Sequence, residues 1–162
     1  MSLSPRPIAV IDIDGVVADV RHRLHHLDHR PKNWGAFFAA AGDDPPLEVG
    51  VDRVRALLAD HDVVYLTGRP ERCRGATERW LDAHGIGGHP VLMRANHDRR
   101  PARYTKAEEL RRIAKDGEVV LVLDDDPQVV DELRAHGWPV ELAAWVPHSR
   151  TLERAQEQEG RT

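Results

Sequence analysis

Cysteine is nearly absent from this chain of 162 residues. Cys73 stands alone, so no internal disulfide can form, and a reducing compartment, the cytoplasm, is the expected setting. A single domain of this length buries roughly two-thirds of its unfolded surface and needs no such staples. Long apolar runs are missing too. No stretch approaches the roughly 18 residues of a membrane span, which excludes an integral membrane protein. Met1 to Pro7 has no apolar core of the signal-peptide kind, so secretion by that route is not expected. Lysine is scarce: of 23 basic residues only Lys32, Lys106 and Lys115 are lysines, and the rest are arginine. Genomic base composition is a sufficient cause of that bias; the other reading is that some arginines clamp phosphate, whose oxygens the guanidinium fork matches. The net charge of −4 excludes a polycation that coats nucleic acid, though not a local basic groove.

Five apolar, β-branched runs are present: Ile8 to Ile13, Val63 to Leu66, Val91 to Met93, Val119 to Leu123 and Val140 to Ala144. Between them lie stretches with helical spacing, among them Val51, Val54, Leu57 and Leu58. Strands that are apolar throughout and alternate with helices predict a Rossmann-like three-layer α/β/α sandwich with a parallel sheet. The stretch from Val20 to Gly50 is far longer than an ordinary connection between strand and helix and predicts a small helical cap insertion after the first strand. Residues 1–148 thus read as a single domain, with the cap at about 20–50. Residues 149–162 read as a polar C-terminal tail, a frayed helix or disordered.

Residues at strand ends carry the chemistry, because open α/β sheets bind ligands beyond the carboxyl ends of their strands. The first run ends in Asp12-Ile13-Asp14-Gly15, two carboxylates on the same side of an extended strand, which repel unless a cation or shared proton relieves them. An acid and a turn glycine is the plainer reading. The fourth run ends in Asp124-Asp125-Asp126-Pro127. A helix N-cap accounts for Asp126 before a proline, but not for three acids, and clustered carboxylates suit a hard cation, magnesium above all where the substrate is a phosphate. The second run ends in Thr67-Gly68-Arg69-Pro70, with a hydroxyl and a glycine whose backbone can approach an anion at a helix start. From Arg94 to Lys106, five basic residues (Arg94, Arg99, Arg100, Arg103 and Lys106) face one acid, Asp98.

Taken in order, Asp12/Asp14, Thr67, Lys106 and Asp124/Asp125 resemble the motifs of the haloacid dehalogenase superfamily over nearly the whole chain. A closer similarity, through Thr67-Gly68-Arg69, Met93-Arg94, Asp98-Arg99-Arg100 and Asp124-Asp125 with Gln128-Val129-Val130, is to the 3′-phosphatase domain of phage-type polynucleotide kinases. Two departures stand out. No Gly-x-x-x-x-Gly-Lys-Ser/Thr loop occurs, so no kinase half is expected here, and Asp126-Pro127 follows the paired acids.

The resemblance implies a magnesium-dependent phosphatase in which Asp12 is the nucleophile, Asp14 the general acid and base, and Thr67, Gly68 and Lys106 bind the transferring oxygens. It further implies metal ligation by Asp12, Asp14 (through its backbone carbonyl), Asp124 and Asp125, and substrate contacts from Arg69, Arg94, Arg100 and Arg103. The implied substrate is a phosphorylated nucleic-acid end or a nucleotide, with a role in nucleic-acid repair and a separate kinase or ligase as an open partner. A small-molecule phosphatase of the same fold, or a catalytically idle partner-binding domain, are the alternatives. On the cap, a helix from Val20 to His29 would set His22, His25, His26 and His29 opposite Val20, Leu24 and Leu27, as a solvated stripe before a metal site. Trp34, Phe37 and Phe38 read as pins to the core before a base-stacking platform.

Overall fold

The computed structural model describes residues 5–162. All five expected strands are present: β1 (Ile8–Ile11), β2 (Asp62–Pro70), β3 (Val91–Arg94), β4 (Val119–Asp124) and β5 (Val140–Leu142). They form one parallel sheet in the order β3-β2-β1-β4-β5. Along β1 the side chains alternate between two cores. Ala9 and Ile11 pack with Val51, Val54, Leu57, Tyr65, Trp80 and Leu81. Ile8 and Val10 pack with Leu66, Leu110, Ile113, Val122, Val129 and Leu133. Helices α2 (Glu48–Leu57) and α3 (Arg74–Ala83) therefore cover one face, and α4 (Ala102–Ile113) and α5 (Pro127–Ala135) the other, the arrangement an all-apolar β1 requires.

The order reverses at β1, whose neighbours are β2 on one side and β4 on the other. Connections diverge there, and a crevice opens beyond the carboxyl end of β1. Asp126 caps α5 as expected, accepting the Gln128 N–H at 2.9 Å ahead of Pro127. Near the other expected helix start the structure differs. β2 runs on through Pro70, a 3-10 turn follows at Glu71–Cys73, and α3 begins only at Arg74, so no helix N-terminus lies at Gly68. The proline explains this: it holds extended backbone at φ −69° and ψ 152°.

The insertion is a 3-10 helix (Arg21–Leu27), a short α1 (Trp34–Ala39) and a second 3-10 turn (Ala40–Asp43). With three residues per turn rather than 3.6, the 3-10 geometry breaks the expected separation of faces: Leu27 is buried, but so is Arg23. Phe37 and Phe38 are buried against Leu27, Cys73 and Ala155, which bears out the pinning role. Residues 149–162 are not frayed. Arg150–Glu153 form α6, continued by a wide π-type turn over Arg154–Gln158, and Leu152, Ala155, Gln156, Glu157 and Thr162 are buried. Glu157 and Thr162 find partners on the domain in Arg103 and Asp14, which polarity alone did not reveal. No helix among the described residues is long and apolar enough to cross a membrane.

Candidate active site

Lys106 reaches the carboxyl end of the sheet from the second turn of α4, and its ammonium lies 2.9 Å from Asp12 Oδ2 and 2.6 Å from Asp124 Oδ2. All three residues are buried. Burying an ammonium alone would lower its pKa; the Asp12 and Asp124 charges overcome that and push Lys106 up, so it is a permanent cation. Asp12 sits at the other extreme. Burial, only partly offset by Lys106 and assisted by Asp124 and Asp14, raises its carboxyl to about 7. Burial likewise raises Asp124 against the pull of Lys106, and raises Asp125 well above the carboxylate range, with Asp12 and Asp124 adding to the effect. One lysine does not neutralise this many acids.

Carboxylate oxygens of Asp12, Asp124 and Asp125 lie within 4.8 Å of one another. Asp125 Oδ1 is buried without a hydrogen-bond partner. A buried orphan acceptor normally costs about 1–3 kcal/mol, so it asks for a partner. Gly15, at φ +76°, keeps the space in front of Asp125 open, since a Cβ there would strike the Asp125 carboxylate. An oxygen-only, anionic donor set with one unmet acceptor fits a hard divalent cation. Asp14 does not join the set through its carboxylate.

Instead Asp14 belongs to a second buried cluster. Its Oδ1 accepts from Arg69 Nε at 2.8 Å and from Arg23 Nη2 at 3.1 Å, and its Oδ2 accepts from the Thr162 hydroxyl at 3.1 Å. Both guanidiniums also grip Asp44: Arg23 Nε at 2.8 Å from Oδ1, and Arg69 Nη2 at 2.8 Å from Oδ2. Arg23 stacks 4.3 Å from the centre of the Phe37 ring, and Arg69 donates to the Thr77 hydroxyl. Two acids and two arginines thus cancel inside the protein. Burial would raise Asp14, but Arg69 and Arg23 dominate and hold its carboxyl down to about 2.

Thr67 is buried on β2, where its hydroxyl accepts the Arg69 N–H. Gly68 lies against the backbone of Thr162, which a Cβ would strike. Arg94 is buried and spans from the Gly68 carbonyl (3.3 Å) to the Arg100 carbonyl (2.7 Å). Arg69 is not an open phosphate ligand but part of the Asp14 cluster. Arg103 pairs with Glu157 at 2.6 Å, and the exposed Arg100 pairs with Asp98 and Glu108.

Arg23 and Asp44 went unread in the sequence. Arg23 lies among histidines, and Asp44 in an Asp-Asp-Pro-Pro turn whose local chemistry is sufficient cause for an acid. No spacing rule links two residues that meet only through the fold. Among the described residues the histidines form no metal-binding group; His22 is bonded to Asp44 at 2.6 Å, and the His25 and His26 rings lie 4.0 Å apart. Cys73 is buried, and burial raises its thiol despite Arg69 and Arg72 nearby.

A parallel sheet with Asp12, Thr67 and the Asp124/Asp125 pair at its strand ends, and Lys106 reaching them from α4, defines a phosphatase of the haloacid dehalogenase type. Residues 6–142 match the family described as "Polynucleotide kinase PNKP phosphatase domain", and the chain belongs to that family. None of the curated proteins compared matches it. Among solved structures, a chain of the "Pnkp1/Rnl/Hen1 complex" aligns with a TM-score of 0.73 and 26% identity, covering 87% of this chain and 47% of that one. A chain of the "Pnkp1/Rnl/Hen1 RNA repair complex" gives 0.68 and 27%, covering 85% and 42%. The chain therefore spans less than half the length of these two relatives. A haloacid dehalogenase-like hydrolase from Streptococcus pneumoniae gives 0.65 over 94% of this chain and 91% of that one, at 10% identity, a likeness of fold.

Proposed function

We propose that this phosphatase is magnesium-dependent, works through an aspartyl-phosphate on Asp12, and removes 3′-phosphate from polynucleotide ends. The observation that carries the reading is Asp12 held by Lys106 beside Asp124 and the unpartnered Asp125 at the sheet's switch point. Asp12 attacks phosphorus, the ester oxygen leaves with its bonding pair, and water later attacks the same phosphorus to release Asp12. Asp12, Asp124 and Asp125 would hold magnesium, with Asp14 contributing its backbone carbonyl, and the ion when bound supplies positive charge against Asp12 and the phosphate dianion. Lys106, Thr67 and the Gly68 amide bind the transferring oxygens.

Asp14 needs a proton to protonate the leaving alcohol, yet Arg69 and Arg23 favour its ionised form. An incoming phosphate dianion raises a neighbouring carboxyl, the direction the first half-reaction needs, and the ionised form suits the second, where Asp14 takes a proton from water. Support for a polynucleotide end comes from the two relatives, one of them from an RNA repair complex, and from Arg94 and Arg100, which border the same hollow as Thr67 and Lys106. The same relatives keep a separate kinase or ligase in view as a partner. A small-ester reading has one observation in its favour, a cavity of about 140 Å³ bordered by Gly15, Val20, Leu24 and Asp125.

Phosphate release from 3′-phosphorylated DNA and RNA, 5′- and 3′-mononucleotides and sugar phosphates, with and without magnesium, tests the function. The expected result is magnesium-dependent turnover, fastest on the 3′-phosphorylated strands. Equal kcat/KM for a 3′-phosphate oligonucleotide and the matching mononucleotide would remove the polynucleotide assignment. Arg103→Ala is expected to weaken the oligonucleotide preference and flatten its salt dependence by about one phosphate contact.

The metal set makes a pH prediction. Asp12 titrates near 7 when folded against an ordinary 3.8, so between those values the folded chain holds a proton that the unfolded chain has released. The cation-free protein therefore loses stability as pH rises through that window. Magnesium must displace the proton, so its stabilising effect should be larger at about pH 8 than at about pH 5.5. Thermal unfolding at the two pH values checks it; an equal gain in Tm at both would count against Asp12 as a ligand.

A further inference from the structure

The segment after Ser149 lies along the mouth of the site, and its contacts follow a pattern. Glu157 pairs with Arg103, through the guanidinium and the backbone N–H. Glu159 pairs with Lys32 of the insertion. The Arg161 guanidinium sits 5.0 Å from the centre of the Trp34 ring, face-on. Gly160, at φ +58°, rests on the backbone of Arg99 so closely that a Cβ would clash. Thr162 ends the path at the reacting groups, its backbone on Gly68 and its hydroxyl on Asp14 Oδ2.

Carboxylates at intervals on basic side chains, a flat group on an aromatic face, and an alcohol hydroxyl bonded to the general acid are what a polynucleotide ending in a 3′-hydroxyl would offer. We infer that residues 150–162 are an internal mimic of the substrate strand, filling the track Arg103–Lys32–Arg99–Trp34 and setting the Thr162 hydroxyl where the dephosphorylated alcohol would lie. The inference rests on the phosphatase reading and deepens it: the track takes a single strand, and the strand must lift this segment to be turned over. One contact favours the exchange. Burial and the like charges of Arg99 and Arg72 disfavour a cation where Arg161 lies, and a neutral base stacked on Trp34 would carry neither penalty.

The test uses the full chain carrying Gly160→Val, which adds a side chain against Arg99 and leaves every reacting group in place. Hydrogen exchange at the amides of residues 159–162 is read alongside steady-state kinetics on a 3′-phosphate oligonucleotide and on p-nitrophenyl phosphate. The expected result is faster exchange in the segment and KM about tenfold lower for the oligonucleotide with kcat undiminished, as follows when the open form rises from about a tenth of the population to most of it. Glu159→Arg, which sets a cation against Lys32, serves as a second variant should the first fail to fold, with the same expectation. A freed segment with unchanged or higher KM overturns the inference, and so does a segment that stays protected in both variants. No turnover of either ester by any of the chains would instead remove the phosphatase reading, and the mimic with it.

Discussion

Asp12→Asn is expected to reduce phosphate release by roughly 10⁴-fold or more, with the fold intact, because a neutral amide cannot serve as the attacking group. Lys106 touches Asp12 Oδ2, so an isosteric change keeps the shape of the pocket while removing one negative charge from a cluster that already carries too many. Asparagine should therefore leave Tm unchanged or slightly higher without magnesium and lower the gain from magnesium. Phosphate release and thermal unfolding, measured together, separate loss of chemistry from loss of structure. Turnover within tenfold of the parent chain would require another nucleophile and sink the aspartyl-phosphate proposal.

Asp44→Ala is expected to be the most destabilising single change outside the apolar core. Arg23 and Arg69 are both fully buried, and Asp44 and Asp14 together balance them. Removing one partner of a buried ion pair leaves an uncompensated charge, which costs about 3–5 kcal/mol. For a chain of this size that corresponds to a fall in Tm on the order of 10 °C. Asp44→Asn, which can still accept a hydrogen bond, should fall between the two. Activity adds a second readout: with Asp44 gone, two guanidiniums bear on Asp14 alone and hold it ionised more strongly, so kcat should fall more than KM rises. A loss of only one or two degrees would mean that the cluster is hydrated or rearranges.

The sheet was legible in the sequence because strands buried on both faces must be apolar throughout, and Ile8–Ile11 and Val119–Leu123 satisfy that without local ambiguity. Asp12, Asp124 and Asp125 were legible because strand ends converge by topology, so acids that end separate strands had to meet, whereas Lys106, on α4, was legible only through the family resemblance. The role of Arg69 was only half visible. Its place after Gly68 marked it for the site, but its burial between Asp14 and Asp44 depends on an insertion whose path local pattern does not specify. Residues 149–162 misled for a related reason: their composition is that of a solvated tail, and the charges that hold them, Lys32, Arg103 and the groups around Asp14, are scattered over the chain.

The four-membered charge cluster also sets what can be exchanged between proteins of this shape. Arg23 stands near one end of the insertion and Asp44 near the other, and both are tied to Arg69 and Asp14 of the sheet domain. A foreign cap spliced between Val20 and Leu47 would remove one cation and one anion together, leaving the sum of charges balanced but Arg69 and Asp14 short of their packing partners. A cap graft on this scaffold should therefore retain both ends of the native insertion and vary only the chain between them, near residues 28–33, where the backbone carries none of the cluster.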